Sequence, residues 1–285
     1  MPLTKQCQRA VLAVFGLPLL APFAHGAVLD YDLFKTIAYS QTSNAQPTTP
    51  TVFFGSVAVD SDNTTDFTAG NVTSTSALSP MVLMVADMAG SFQSAGLGSQ
   101  AELNADFPNG TTYTYNISGG TLGSQSATLS TPASDEYAAT IPFFTNSGFT
   151  SLQGVNATNP ITLTWNPYAT PAGINTPLIF LAISRASDGA FVTGTSGNNS
   201  LASFTVPANV LQPGTQYDVD LVYSARNATA NAGFGGATSF YSYDLRTDLD
   251  FTTAAATPEP SSLSIAALGI LGFAGLLTWK RKRFI

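Results

Sequence analysis

Apolar and polar positions alternate with a period of two through most of the chain, the pattern of strands with one face in a core and the other outside it. Ile161, Leu163 and Trp165 fall on one side with Thr162 and Thr164 opposite. Tyr217, Val219, Leu221 and Tyr223 alternate with Asp218 and Asp220, and Leu249 and Phe251 with Asp248 and Asp250. The same spacing recurs in Val57 and Val59, in Tyr113, Tyr115 and Ile117, and in Tyr241, Tyr243 and Leu245. Before residue 263 only a short turn near Ala86 to Ser91 competes as a helical element. Pro47 and Pro50 interrupt the segment from Gln41 to Pro50, which reads as an irregular loop. Many short strands at close spacing predict an all-β chain of antiparallel sandwiches. A body of this length accommodates two in tandem at ~100 residues each, with a boundary near Thr131 to Ser134 that divides residues 27–133 from 134–254.

Both ends break the alternation. Lys5 and Arg9 precede an apolar run from Ala10 to Leu20, and Ala24 and Gly26 take the small positions of a cleavage site, so residues 1–26 read as a secretory signal peptide. The run is too short to span a bilayer, and the mature chain is expected to begin near Ala27. At the other end, Leu263 to Trp279 carries no charge and would cover roughly 26 Å as a helix, near the short limit for a transmembrane span. Lys280, Arg281, Lys282 and Arg283 follow directly, and residues 280–285 belong on the cytoplasmic side by the positive-inside rule. The body before Pro258 is then outside.

The chemistry available to that body is narrow. Cys7 and His25, the one cysteine and the one histidine, both lie in the segment expected to be removed. Cys-His and Ser-His-Asp catalysis, thiolate or imidazole metal sites and intrachain disulfides are thereby excluded from the mature chain, and no cofactor is implied. Between Ala27 and Thr257 four basic residues (Lys35, Arg185, Arg226, Arg246) face sixteen acidic ones, a net charge of −12 against −7 for the whole chain. Such a field disfavours nucleic acid and anionic lipid as partners.

Asp60, Asp62 and Asp66 gather oxygen ligands of the kind calcium prefers, without the glycine and terminal glutamate of an EF-hand loop; the alternative is a solvated turn. Asp218/Asp220 and Asp248/Asp250 each mark one face of a strand and meet only if those strands are neighbours. Asp135 and Glu136, adjacent in sequence, point to opposite faces of a strand and make a poor catalytic pair. Tyr113, Tyr115, Phe143, Phe144, Trp165, Tyr168, Tyr241 and Tyr243 would stack on sugar only if several were exposed together, and their core spacing predicts burial.

Residues 255–262 contain Pro258-Glu259-Pro260, which the two prolines keep extended. Followed by a short glycine-bearing apolar helix and a terminal basic cluster, this tripeptide resembles the PEP-CTERM sorting signal of bacterial surface proteins. The resemblance implies that Pro258, Glu259 and Pro260 are recognised by an exosortase, a membrane-embedded processing enzyme. The body would be anchored transiently through Leu263 to Trp279, then released or transferred to the cell surface or an extracellular polysaccharide. A second resemblance lies in the body. Leu211-Gln212-Pro213-Gly214-Thr215-Gln216-Tyr217, with Trp165 on an earlier strand, is similar to the corner between strands E and F of fibronectin type III domains, of the immunoglobulin-like sandwich class. Phe107-Pro108-Asn109-Gly110-Thr111-Thr112-Tyr113 echoes it about a hundred residues earlier. Together these features point to a non-catalytic exported surface or matrix protein. The alternatives are a carbohydrate-binding module or, with less behind it, a carboxylate-dependent glycan hydrolase.

Overall fold

The computed structural model describes residues 26–230 and 233–256. The expected signal peptide (apart from Gly26), Pro258 to Pro260, the apolar run Leu263 to Trp279 and the basic tail lie outside the described residues. Among those described, no helix is long and apolar enough to cross a membrane.

In chain order the elements are β1 (Val28–Ser40), β2 (Pro50–Ser61), β3 (Ala69–Thr73), β4 (Met81–Val82), β5 (Met84–Ala86) and β6 (Ala89–Gln93). They continue with α1 (Gln100–Asp106), β7 (Thr112–Ser118), β8 (Gln125–Ser130), α2 (Asn146–Leu152), β9 (Ile161–Thr164) and β10 (Leu178–Arg185). Then come β11 (Phe191–Gly197), β12 (Ser203–Val206), β13 (Gln216–Ala230) and β14 (Thr238–Thr252). Every alternating run seen in the sequence forms a strand. The turn expected near Ala86 to Ser91 is instead the β5–β6 hairpin, with Asp87 at its bend in the left-handed region at φ 54°. Short polar side chains tolerate that region by bonding locally.

One eight-stranded sheet, ordered β11-β10-β13-β14-β1-β2-β6-β5, runs through both halves of the chain. All its described pairings are antiparallel except the central one, where β1 lies parallel to β14 from Asp30↔Thr238 to Ser40↔Asp248. The first strand of the body is thus hydrogen-bonded to its last, across the boundary expected at residue 133.

Two apolar cores lie on the same face of this sheet. Tyr31 and Leu33 belong to one and Ile37 and Tyr39 to the other, all at odd positions of β1 and hence on one side. The first core is closed by the small sheet β4-β3-β7-β8 and by Leu103 and Phe107 from α1 and its end. The second is closed by β9 and β12 with Leu152 of α2. The cores follow the expected division only in part: Phe234 and Ala237, from the β13–β14 connection, reach into the first, and Ile37 and Tyr39 into the second. The architecture is two sandwiches sharing one broad sheet.

Both corners are built as the sequence echo suggests. The Gln212 N–H donates to Tyr217 Oη at 2.7 Å, and Tyr113 Oη donates to the Pro108 carbonyl at 2.9 Å. In each case tyrosine ties itself to the backbone five residues upstream. Proline has no N–H, so the bond at Tyr113 runs the other way. Trp165 is buried, its Nε1 donating to the Leu201 carbonyl at 2.9 Å.

Between the cores stands Lys35, fully buried on the same face of β1. Its Nζ donates to Asp135 Oδ1 at 2.8 Å, to Asn109 Oδ1 at 2.9 Å and to Asn104 Oδ1, and sits 5.4 Å from the centre of the Tyr243 ring. Opposite it on β2 is Gly55, where a Cβ would come within 2.3 Å of the Phe107 ring. The segment expected to be an interdomain boundary is consequently a packed strap. Asp135 takes Lys35, Glu136 accepts from Tyr241 Oη at 3.1 Å, Tyr137 packs edge-on against Tyr243, and Ala138 enters the second core.

Candidate functional site

The other face of the long sheet carries the even-numbered residues of β1, β13 and β14, and strand alternation concentrates carboxylates there. β13 and β14 set Asp218 opposite Asp250 and Asp220 opposite Asp248, so the two alternating pairs of the sequence do meet across one ladder. Arg246 answers them from the same face, its Nη2 2.7 Å from Asp220 Oδ1 and its Nε bonded to Asp248 Oδ1. Like charges directly opposite one another repel. Burial, and then the charge of Asp250, push the Asp218 carboxyl up to about 6. Burial pushes Asp248 up to about 7 against the pull of Arg246. These carboxylates are bound to each other and to a guanidinium; they do not stand apart with room for a sugar between them.

Next along β14 lies Asp244, buried, accepting from Ser242 Oγ at 2.5 Å, which itself meets Ser224 Oγ at 2.5 Å. Burial holds its carboxyl up at about 6 although both hydroxyls oppose the rise.

A third group gathers nearer the start of β1. Asp30 pairs directly with Asp60 of β2, and Asp32 follows two residues on, on the same face. One carboxylate oxygen from each lies within 4.8 Å of the other two. Asp32 is 1% exposed, and neither its Oδ1 nor that of Asp30 has a hydrogen-bond partner. Burial, then the neighbouring Asp60 charge, raise Asp30 to about 7. The same two kinds of cause, burial and then the charges of Asp30 and Asp60, hold Asp32 well above the ordinary carboxylate range, and burial raises Asp60. The opposing cation is Arg226, whose guanidinium lies 3.4 Å from the centre of the Phe240 ring.

Of the three residues singled out as calcium ligands in the sequence, only Asp60 joins this group. β2 ends at Ser61, and the ladder fixes the Asp60 carboxylate beside Asp30. Asp62 and Asp66 pair with one another at the turn instead. Asp62 Oδ1 accepts the Ala27 N–H at 2.9 Å, Asp66 Oδ1 accepts Thr121 Oγ1 at 2.8 Å, and burial leads the rise of the Asp66 carboxyl. Sequence reasoning missed Asp30 and Asp32. Their signal was present: Asp30-Tyr31-Asp32 has the same acid–apolar alternation as Asp218 and Asp220 around Val219.

The aromatic candidates do not make a sugar-stacking platform. Tyr113, Tyr115, Phe144, Trp165, Tyr168 and Tyr243 are buried, and Phe143 and Tyr241 are half-buried.

Residues 256–282 match the PEP-CTERM protein-sorting motif. The motif marks an exported protein that is processed by an exosortase, a membrane enzyme. No curated protein sequence matches the chain. Among solved structures, the chain is similar to the FN1–FN3 domains of chicken CNTN1 at 14% identity, with a TM-score of 0.25, over 71% of this chain and 63% of that one. It is also similar to a segment of two fibronectin type III domains from chicken tenascin at 16% identity, with a TM-score of 0.22, over 67% and 92% respectively. Superposition at that level carries no detail over. The fold described above rests on the chain's own ladders and cores.

Proposed function

We propose that this chain is a non-catalytic protein of the cell surface or extracellular matrix, exported by its N-terminal signal and held at the membrane through Leu263 to Trp279 until Pro258-Glu259-Pro260 is processed. The match of residues 256–282 to the sorting motif carries the proposal. Two features of the body support the non-catalytic part. The paired aspartates of β13 and β14 satisfy one another and Arg246, and the strap acids Asp135 and Glu136 are occupied by Lys35 and Tyr241. After processing, the sandwich body is delivered to the outer surface or the polysaccharide around it.

Intact mass of the protein from cells and from medium tests the delivery route, because it reports both termini at once. A released species running from near Ala27 to near Pro260 is expected, and Pro258→Ala with Pro260→Ala should leave the body membrane-retained. A released or surface form still carrying residues 263–285, or unchanged release of the double variant, overturns it.

A further inference from the structure

We propose that Asp30, Asp32 and Asp60 form a binding site for one divalent, oxygen-preferring cation, calcium foremost. Three observations converge on it. The carboxylates come from two neighbouring strands whose register is fixed by an unbroken ladder from Asp30↔Asp60 to Ala38↔Val52, so the side chains are brought together by the backbone and not by a mobile loop. One oxygen from each lies within 4.8 Å of the others, the widest separation that two oxygens bound to one ion at ~2.4 Å can have, so side-chain rotation alone, with the strands in place, is enough to bring the three onto one ion. Finally, Asp32 is 1% exposed with Oδ1 unpartnered, and Asp30 Oδ1 beside it is unpartnered as well. A buried carboxylate oxygen without a donor is costly, and a cation is the partner that satisfies several such oxygens together.

Charge supports the same occupant. The groups acting on the site are Asp30, Asp32 and Asp60 themselves, Arg226 of β13 and Asp244 of β14. The carboxylates outnumber the single guanidinium, so the ionised cluster carries a net negative charge that a divalent ion offsets. Without it burial raises all three carboxyls above the ordinary carboxylate range, so cation and protons compete for the same oxygens. Asp30 and Asp60 are half-buried and leave a route in from solvent, while Asp32 forms the floor. Calcium, which accepts six to eight oxygens in irregular geometry, tolerates such a one-sided carboxylate set completed by water better than magnesium, which demands a near-ideal octahedron.

Isothermal titration of the full chain in detergent, stripped with EDTA and held in ~0.15 M salt to screen weak surface binding, decides the matter. Calcium chloride at pH 7.5 should give a saturable one-to-one isotherm, weakened at least tenfold at pH 5.5, with magnesium chloride weaker at either pH. Asp32→Asn and Asp60→Asn should each lower affinity at least tenfold, while Asp248→Asn, on the same face but outside the cluster, leaves it unchanged. The thermal midpoint read alongside should rise with calcium for the parent chain and for Asp248→Asn only. No saturable heat overturns the proposal. So does binding that survives in both Asp32→Asn and Asp60→Asn, or a calcium-independent midpoint that Asp32→Asn raises, which would mean that shared protons alone hold the cluster. Delivery by the sorting signal is not tested here, so this result and the mass measurement fail independently.

Discussion

Lys35 Nζ lies 2.8 Å from Asp135 Oδ1, with side chains 1% and 14% exposed, and this pair joins the broad sheet to the strap that passes between its two cores. Burial lowers the Lys35 pKa against the pull of Asp135. For Asp135 burial pushes upward, but the bonds from Lys35, Asn104 and Asn109 win and hold the carboxyl below its usual value. Breaking such a pair leaves an uncompensated buried charge, whereas replacing both partners does not. Lys35→Ala and Asp135→Asn are each expected to cost about 3–5 kcal/mol in urea unfolding, and Lys35→Met with Asp135→Leu to recover much of it. Losses under about 1 kcal/mol for both single variants would show that the strap is held by its apolar contacts.

Stability should fall as pH rises from about 5 to 7.5 in EDTA. Asp30 and Asp248 titrate at about 7 and Asp218 and Asp244 at about 6 in the folded chain, against ~3.9 when unfolded. Between those values the folded state holds more protons, so the slope of unfolding free energy with pH is negative. Below pH ~4 the trend reverses, because Asp135 is depressed and its contribution is lost as it protonates. Thermal midpoints across pH 3.5 to 8 read this directly; a midpoint that climbs steadily to pH 8 contradicts it.

Tyr217→Phe and Tyr113→Phe remove one hydroxyl each from the two corners. A loss of about 1–2 kcal/mol apiece is expected, since each removes a tyrosine–backbone bond while the ring still fills the core. The sites lie in different cores, so the two losses should add within about 0.5 kcal/mol. Denaturant midpoints of both singles and the double variant measure it.

Arg246→Met withdraws the cation that Asp220 and Asp248 share. Asp248 should then titrate higher still, and the variant should lose more stability at pH 7.5 than at pH 5, where its carboxyl is already protonated. Equal losses at the two pH values would mean that Arg246 acts through packing.

What the sequence disclosed and what it hid separate along physical lines. Alternation disclosed the strands, because Tyr217, Val219, Leu221 and Tyr223 must all reach the core while Asp218 and Asp220 must not. The corner motif disclosed the turn before Tyr217, a feature spanning only a few residues. Hidden was whatever depends on distant register. Nothing local to Val28–Ser40 says that it pairs with Thr238–Thr252, and that pairing turns two expected domains into halves of one sheet. In the sequence Lys35 counted only as one of the body's four basic residues, because nothing local marks a lysine for burial. Asp30 and Asp32 acquired their meaning only when β2 brought Asp60 alongside. The sorting motif over residues 256–282 was legible without the fold, since its signal is a linear string.

The parallel pairing of β1 with β14 has a mechanical consequence. β1 begins at one end of the sheet, and β14 delivers the chain toward the tail at the other, with eleven paired positions between Asp30↔Thr238 and Ser40↔Asp248. A pull entering through the tail and resisted at the start of β1 strains these hydrogen bonds together, in shear. A hairpin pulled at its open end gives way one bond at a time. A body loaded between these two ends therefore resists tension along the β1 and β14 strands as a unit.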